Sequence, residues 1–99
     1  MPKISKEELD RAMRDLPGWK VQGDAITKTY KHDSFAGAIV FVNAVAHLAE
    51  LANHHPDIDI RYTDVTITLT THDQGGITDK DVNLARGIEE IRRKAGVPA

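Results

Sequence analysis

Apolar residues recur along this chain in two distinct periods. Leu9, Ala12, Met13 and Leu16 fall at i, i+3, i+4 and i+7, which places them on one face of a helix. Ser5 with Glu8 is a capping-box pattern at its start, and Pro17-Gly18 stops it. Residues 19–22 and 25–31 are short alternating runs about Gly23-Asp24 and read as a β-hairpin. Asp33 or Ser34 can cap a long helix over about residues 35–53. In a second hairpin Ile58, Ile60 and Tyr62 alternate with polar residues, and Val65, Ile67 and Leu69 alternate with Thr66, Thr68 and Thr70. Thr63-Asp64 is its expected turn; the threonine face suits solvent and the aliphatic face a core. Gln74-Gly75-Gly76 reads as a loop. Thr78 or Asp79 then opens a last helix with Leu84, Ile88, Ile91 and Ala95 as its buried stripe. Arg92, Arg93 and Lys94 complement its C-terminal dipole before Gly96 ends it. The order α-ββ-α-ββ-α predicts a two-layer α+β fold, a four-stranded antiparallel sheet with helices on one face.

Composition narrows this picture. With 99 residues and neither repeat nor linker, residues 1–99 read as one domain with a thin core. The absence of cysteine removes thiol nucleophiles, zinc ribbons and disulfide scaffolds, leaving oligomerisation as a common source of extra support. The balance of 13 basic and 15 acidic residues, a net charge of -2, argues against direct nucleic-acid binding. No run approaches the roughly 18 apolar residues of a membrane span. The segment MPKISKEELD lacks an apolar signal core, so no membrane association and a cytoplasmic location are expected.

The central helix carries the next signal. At about 100° per residue, Phe35, Ile39, Val42, Ala46 and Ala49 cluster on one side. Phe41, Ala44, Leu48 and Leu51 cluster nearly opposite, and Asn43, His47, Glu50 and His54 form a narrow polar stripe. A helix apolar on two faces is usually buried on both. One face can cover the sheet, and the other calls for a second copy, so a homo-oligomer with helices at its interface is expected.

Glu50 precedes His54 by one helical turn, so their side chains are expected to meet. Pro56 biases His55 out of the helical region, which ends the helix near the adjacent pair His54-His55. His72 follows the last strand, and Asp81 lies in the first turn of the last helix. A fold that brings those ends together would gather His54, His55, His72 and Asp81 in one pocket. His32 reads as a surface residue, and His47 as a residue at the edge of the site or an ordinary hydrogen-bonding group. Zinc or iron could use three histidines and a carboxylate, but no His-x-His or His-x-x-x-His spacing is present. Nucleophilic catalysis has neither a cysteine nor a Gly-x-Ser-x-Gly elbow to use. Metal-free acid/base catalysis needs only imidazoles, and it suits these residues best.

The pattern Glu50-x-x-x-His54-His55-Pro56, Tyr62, Thr70-Thr71-His72 and Asp81-x-Asn83-Leu84-Ala85 resembles the pterin-4a-carbinolamine dehydratase family. Trp19, Tyr30, Asp33-Ser34-Phe35 and Phe41 extend the resemblance, which covers residues 9–91. It implies dehydration of 4a-hydroxytetrahydrobiopterin to quinonoid dihydrobiopterin after aromatic amino-acid hydroxylation. It also implies no metal or cofactor, the pterin being the substrate, and a homodimer or homotetramer packed through long helices. His54, His55 and His72 would be the active-site histidines, and Glu50 and Asp81 the acidic positions. His54 and His72 would transfer protons, His55 would position the ring or hydroxyl, Glu50 would orient or charge-stabilise His54, and Asp81 would orient a histidine or close the pocket. Substrate contacts would fall on His54, His55, Pro56, Thr71, His72, Asp73 and Gln74. Some members carry an aromatic residue shortly after the proline, where this chain has Asp57-Ile58-Asp59, which puts ring stacking from that side in doubt. Animal members also bind a homeodomain transcription factor through helix packing, so a protein-binding dimerisation or coactivator module is the main rival reading. A dehydratase-like protein acting on another pterin, for instance in molybdopterin metabolism, is the second.

Overall fold

Helix α1 (Lys6–Arg14) begins at the capping box that Ser5 and Glu8 spell out: the Ser5 hydroxyl accepts from the Glu8 amide, and Glu8 accepts in return. It is the first element of a computed structural model that describes residues 2–98. Strands β1 (Lys20–Gln22) and β2 (Ala25–Lys31) form the first hairpin around Gly23-Asp24. Helix α2 (Phe35–Ala52) follows, capped by Ser34, whose hydroxyl accepts from the Gly37 amide at 3.0 Å. Strands β3 (Asp57–Arg61) and β4 (Asp64–Leu69) form the second hairpin. A single turn of 3-10 helix, η1 (His72–Gln74), leads into α3 (Asp79–Ala95), which Thr78 caps and Gly96 ends. The sheet is antiparallel throughout, in the order β1-β2-β4-β3, so the two hairpins meet through β2 and β4. Its order and its helical layer match the α+β fold expected.

Ile26, Tyr30, Val65, Ile67 and Leu69 face the helices and are buried with Phe41, Val45, Ala85 and Ile88. Alternation along β2 also turns Lys28 inward. Its ammonium donates to Pro17 O at 2.6 Å and Glu89 Oε2 at 2.8 Å, and it lies 4.7 Å from the centre of the Tyr30 ring. Glu89 also accepts from Tyr30 and, at 3.3 Å, from Trp19 Nε1. Burial works to raise the Glu89 carboxyl pKa, but the Lys28 and Tyr30 hydrogen bonds outweigh it and hold it below its ordinary value. The opposite, threonine-rich face is less bare than expected: Thr27 is buried and Thr66 and Thr68 are half-buried. Their hydroxyls pair across the strands, Thr27 with Thr68 and Thr29 with Thr66. Helix α3 approaches α2 closely at Gly87, where a Cβ would sit 2.6 Å from Leu48 Cδ2.

Several expectations need correction. The second hairpin turns at Tyr62-Thr63, because Arg61 pairs with Asp64 and Tyr62 takes a positive φ of 54°. Tyr62 is therefore an exposed turn residue and not the end of a strand. The face of α2 that meets the core is Ala38, Phe41, Val45 and Ala49, which lies between the two apolar clusters that the wheel separates. Those clusters form its flanks, so Phe35 and Leu51 project outward, exposed at 52% and 73%, and Val40, which neither cluster includes, is exposed at 67% beside the Leu51 flank. Helix α2 is also long and apolar enough, by length and composition alone, to span a membrane. In this fold it is the helix that packs on β4 and α3. Ala95 is exposed and lies outside the buried stripe of α3.

Candidate active site

The end of α2, the start of η1 and the first turn of α3 meet at one place. Helix α2 stops at Ala52 because Asn53 adopts a left-handed conformation, with φ 50°, and the His54 amide reaches back to Ala49 O at 3.1 Å. The chain therefore leaves the helix before His54 can complete the next turn. This breaks the expected Glu50–His54 pairing: Glu50 contacts His55 Nε2 instead. His54 crosses to α3, where its Nε2 lies 2.5 Å from Asp81 Oδ1.

Asp81 is fully buried, and its hydrogen bonds account for that. Its Oδ2 accepts from the Thr71 hydroxyl at 2.8 Å and from the Thr78 amide at 2.9 Å. Thr78 and Thr71 hydroxyls lie 2.8 Å apart, and the Thr78 hydroxyl accepts from the Lys80 amide at 3.2 Å. Because Thr71 gives its proton to Asp81, Thr78 donates to Thr71. A carboxylate only accepts, so the hydrogen shared with His54 belongs to Nε2. Nε2 is thereby committed, and Nδ1 is the ring nitrogen left for a ligand. The same carboxylate completes the capping box of α3, so one group both starts the helix and orients the imidazole. Thr71 and Thr78 were each noted in the sequence for other reasons; their joint role is set by contacts between segments that no local pattern reveals.

His54 forms one wall of an open cleft of about 350 Å³, lined also by Asn53, His55, Thr70, Thr71, His72, Asp73 and Lys80. The structure thus brings the three candidate histidines together with Thr71 and Asp73. Asp81 stands behind His54. Glu50 and His55 are both largely exposed, and Glu50 reaches this region only through His55. Pro56 and Gln74 do not line the cleft. Lys80, which no motif singled out, does. His47 is exposed on α2 and does not line the cleft either. His32 is not a simple surface residue: it is half-buried, its ring lies 4.9 Å from Phe41, and burial lowers its pKa despite nearby Asp33 and Asp64. Among the described residues, no group of three histidine, aspartate or glutamate side chains is placed to hold a metal ion.

The chain matches the model of the family described as pterin 4 alpha carbinolamine dehydratase over residues 2–91. A protein of Roseiflexus sp. strain RS-1 named for the same family is 54% identical over 89 residues, which is 90% of this chain and 96% of that one. A Nocardia farcinica protein of the same name is 50% identical over 91% of this chain and 95% of its own length. The crystal structure of a transcriptional coactivator/pterin dehydratase from Brucella melitensis aligns with a TM-score of 0.85 at 36% identity, covering 90% of this chain and 97% of that one. A pterin dehydratase-like protein identified as a RuBisCO assembly factor in the alpha-carboxysome shares the fold, with a TM-score of 0.61 at 23% identity over 74% of this chain and 84% of that one.

Proposed function

Because the chain belongs to the pterin-4-alpha-carbinolamine dehydratase family, we propose that it dehydrates 4a-hydroxytetrahydrobiopterin to quinonoid dihydrobiopterin with its own histidines as acid and base. The observation that carries this reading is His54, held by a buried carboxylate, in one cleft with His55 and His72. The reaction breaks the C4a–O bond, removes the N5 proton and forms a C4a=N5 double bond, releasing water. Hydroxide is a poor leaving group, so an acid must protonate the departing oxygen while a base takes the ring proton. His54 and His72 fill these roles, with Nδ1 of His54 exchanging the proton while Asp81 holds Nε2. His55, tethered by Glu50, positions the ring. This scheme needs no metal or cofactor.

Stopped-flow measurement with chemically prepared 4a-carbinolamine tests the proposal. His54→Ala and His72→Ala should each slow catalysed dehydration by about 10²–10⁴-fold. A wild-type protein that does not accelerate the reaction would end this reading.

A homo-oligomer packed through α2 belongs to the same proposal, since Val40 and Leu51 on one flank of the helix and Phe35 on the other leave apolar surface exposed within the chain. The same surface favours the second reading, a protein-binding module, and the Brucella melitensis neighbour is named for a coactivator role as well as a dehydratase. A pure binding module could use Asp81 to cap α3 but has no need of three histidines along one cleft, which ranks the enzyme first.

A further inference from the structure

The three histidines of the cleft are held in different ways. His54 is tethered by Asp81 and His55 by Glu50, each through a ring nitrogen. His72 is exposed, and its ring has no hydrogen-bond partner among the described residues. Its position therefore rests on the backbone that carries it. That backbone is a closed loop. The Thr71 amide donates to Gly76 O at 2.9 Å, the Gly76 amide donates back to Thr71 O at 3.3 Å, and the Gly75 amide donates to His72 O at 3.1 Å. Asp81 fixes Thr71 and Thr78 on either side of the loop. Between them Gly76 and Ile77 are buried, although they belong to no strand or helix. The segment before α1 lies against them. The Ile4 amide donates to Ile77 O at 3.1 Å, and the Ile4 side chain packs against the hydrophobic core. The stem of Lys3 lies over Gly76, where a Cβ would sit 2.8 Å from Lys3 Cδ. Gly76 has no positive φ, so its missing side chain makes room for the lysine and relieves no backbone strain.

We propose that Lys3 and Ile4 form a strap whose hold on Gly76-Ile77 positions the His72 imidazole for proton transfer. The inference rests on the dehydratase reading and deepens it. Neither residue lines the cleft, so both act through the loop. A histidine without a side-chain tether is only as well placed as its backbone, and a misplacement of about 1 Å can cost about 10²-fold in rate. Local opening of the loop removes His72 from its place, and the Ile4–Ile77 hydrogen bond opposes that opening.

The test separates holding the loop from serving the reaction. Ile4→Pro removes the amide donor, keeps an apolar side chain and leaves the capping box at Ser5 intact. In native-state hydrogen exchange the Thr71 and Gly76 amides of this variant should open about tenfold more often, with the Tyr30 amide in the middle of the sheet unchanged. With the carbinolamine, kcat should fall about tenfold while KM moves by less than about twofold, because His72 acts in the chemical step. Gly76→Ala, which displaces the Lys3 stem, should lower kcat in the same way, and adding Lys3→Ala should restore most of the loss. This second pair keeps the test independent of whether Ile4→Pro folds. Wild-type loop protection or wild-type kcat in folded Ile4→Pro would overturn the strap, as would a loss in Gly76→Ala that Lys3→Ala leaves unchanged. A wild-type protein that does not dehydrate the carbinolamine would instead remove the dehydratase reading, and hydrogen exchange would still show whether the loop is held.

Discussion

At the scale of single residues, Asp81 links most of the site together. Two protein donors and one imidazole occupy its two oxygens in a place without solvent. Asp81→Asn keeps the shape but offers an amide where His54 Nε2 needs an acceptor. The expected result is a fall in kcat of about 10²–10⁴-fold with a folded far-UV circular dichroism spectrum, measured with the carbinolamine assay. Glu89, on the far side of the core, gives a pH prediction. Its folded carboxyl pKa lies below the ordinary 4.5, so the unfolded chain binds the proton more readily. Its contribution is fully present above pH 4.5 and is lost as pH falls below it toward the folded value. Denaturant titrations of Glu89→Gln should therefore show a lower midpoint than wild type near neutrality and a shallower further loss below that pH. The histidines of the site were legible as residue types, and Asp81 as an acidic position. Which carboxylate holds which histidine was not, because that depends on a left-handed residue at Asn53 that ends α2 within half a turn.

Elements begin and end largely where the local chemistry says they should. Ser5 and Glu8 start α1, Ser34 starts α2, and Gly96 stops α3 in a left-handed conformation. The two caps at Ser5 and Thr78 have different expected consequences. Ser5→Ala removes an exposed cap and should cost about 1 kcal/mol, read as a fall in Tm of roughly 4–8 °C, with no effect on turnover. Thr78→Ala removes a buried hydroxyl that also joins Thr71, so it should cost about 1–2 kcal/mol and slow turnover as well. The strand pattern was legible down to the inward aliphatic faces, yet it missed the turn by one residue. Tyr62 looks like a strand residue by side chain, and only pairing of Arg61 with Asp64 forces it into the turn. Lys28 illustrates the same limit: alternation places it inward, but only Glu89 and the Pro17 carbonyl, remote in sequence, make that burial tolerable.

Across the whole molecule, the surface of α2 is the feature that a 99-residue chain leaves unresolved within itself. Size-exclusion chromatography with light scattering should show more than one copy per particle, and Val40→Glu or Leu51→Glu should shift it toward the monomer. A wild-type protein that runs as a monomer at micromolar concentration would contradict this expectation. Asp81 has a further consequence at this scale. Through one carboxylate it ties together the exit of α2 at His54, the entry to η1 at Thr71 and the cap of α3 at Thr78. None of the three can fray without releasing the others, so they belong to a single cooperative opening unit. Native-state hydrogen exchange would see this as matched opening free energies for the Thr78 and His54 amides. Substrate held against His54 would then slow exchange at both positions together, making the backbone of α3 a reporter of occupancy in a cleft it does not itself touch at Thr78.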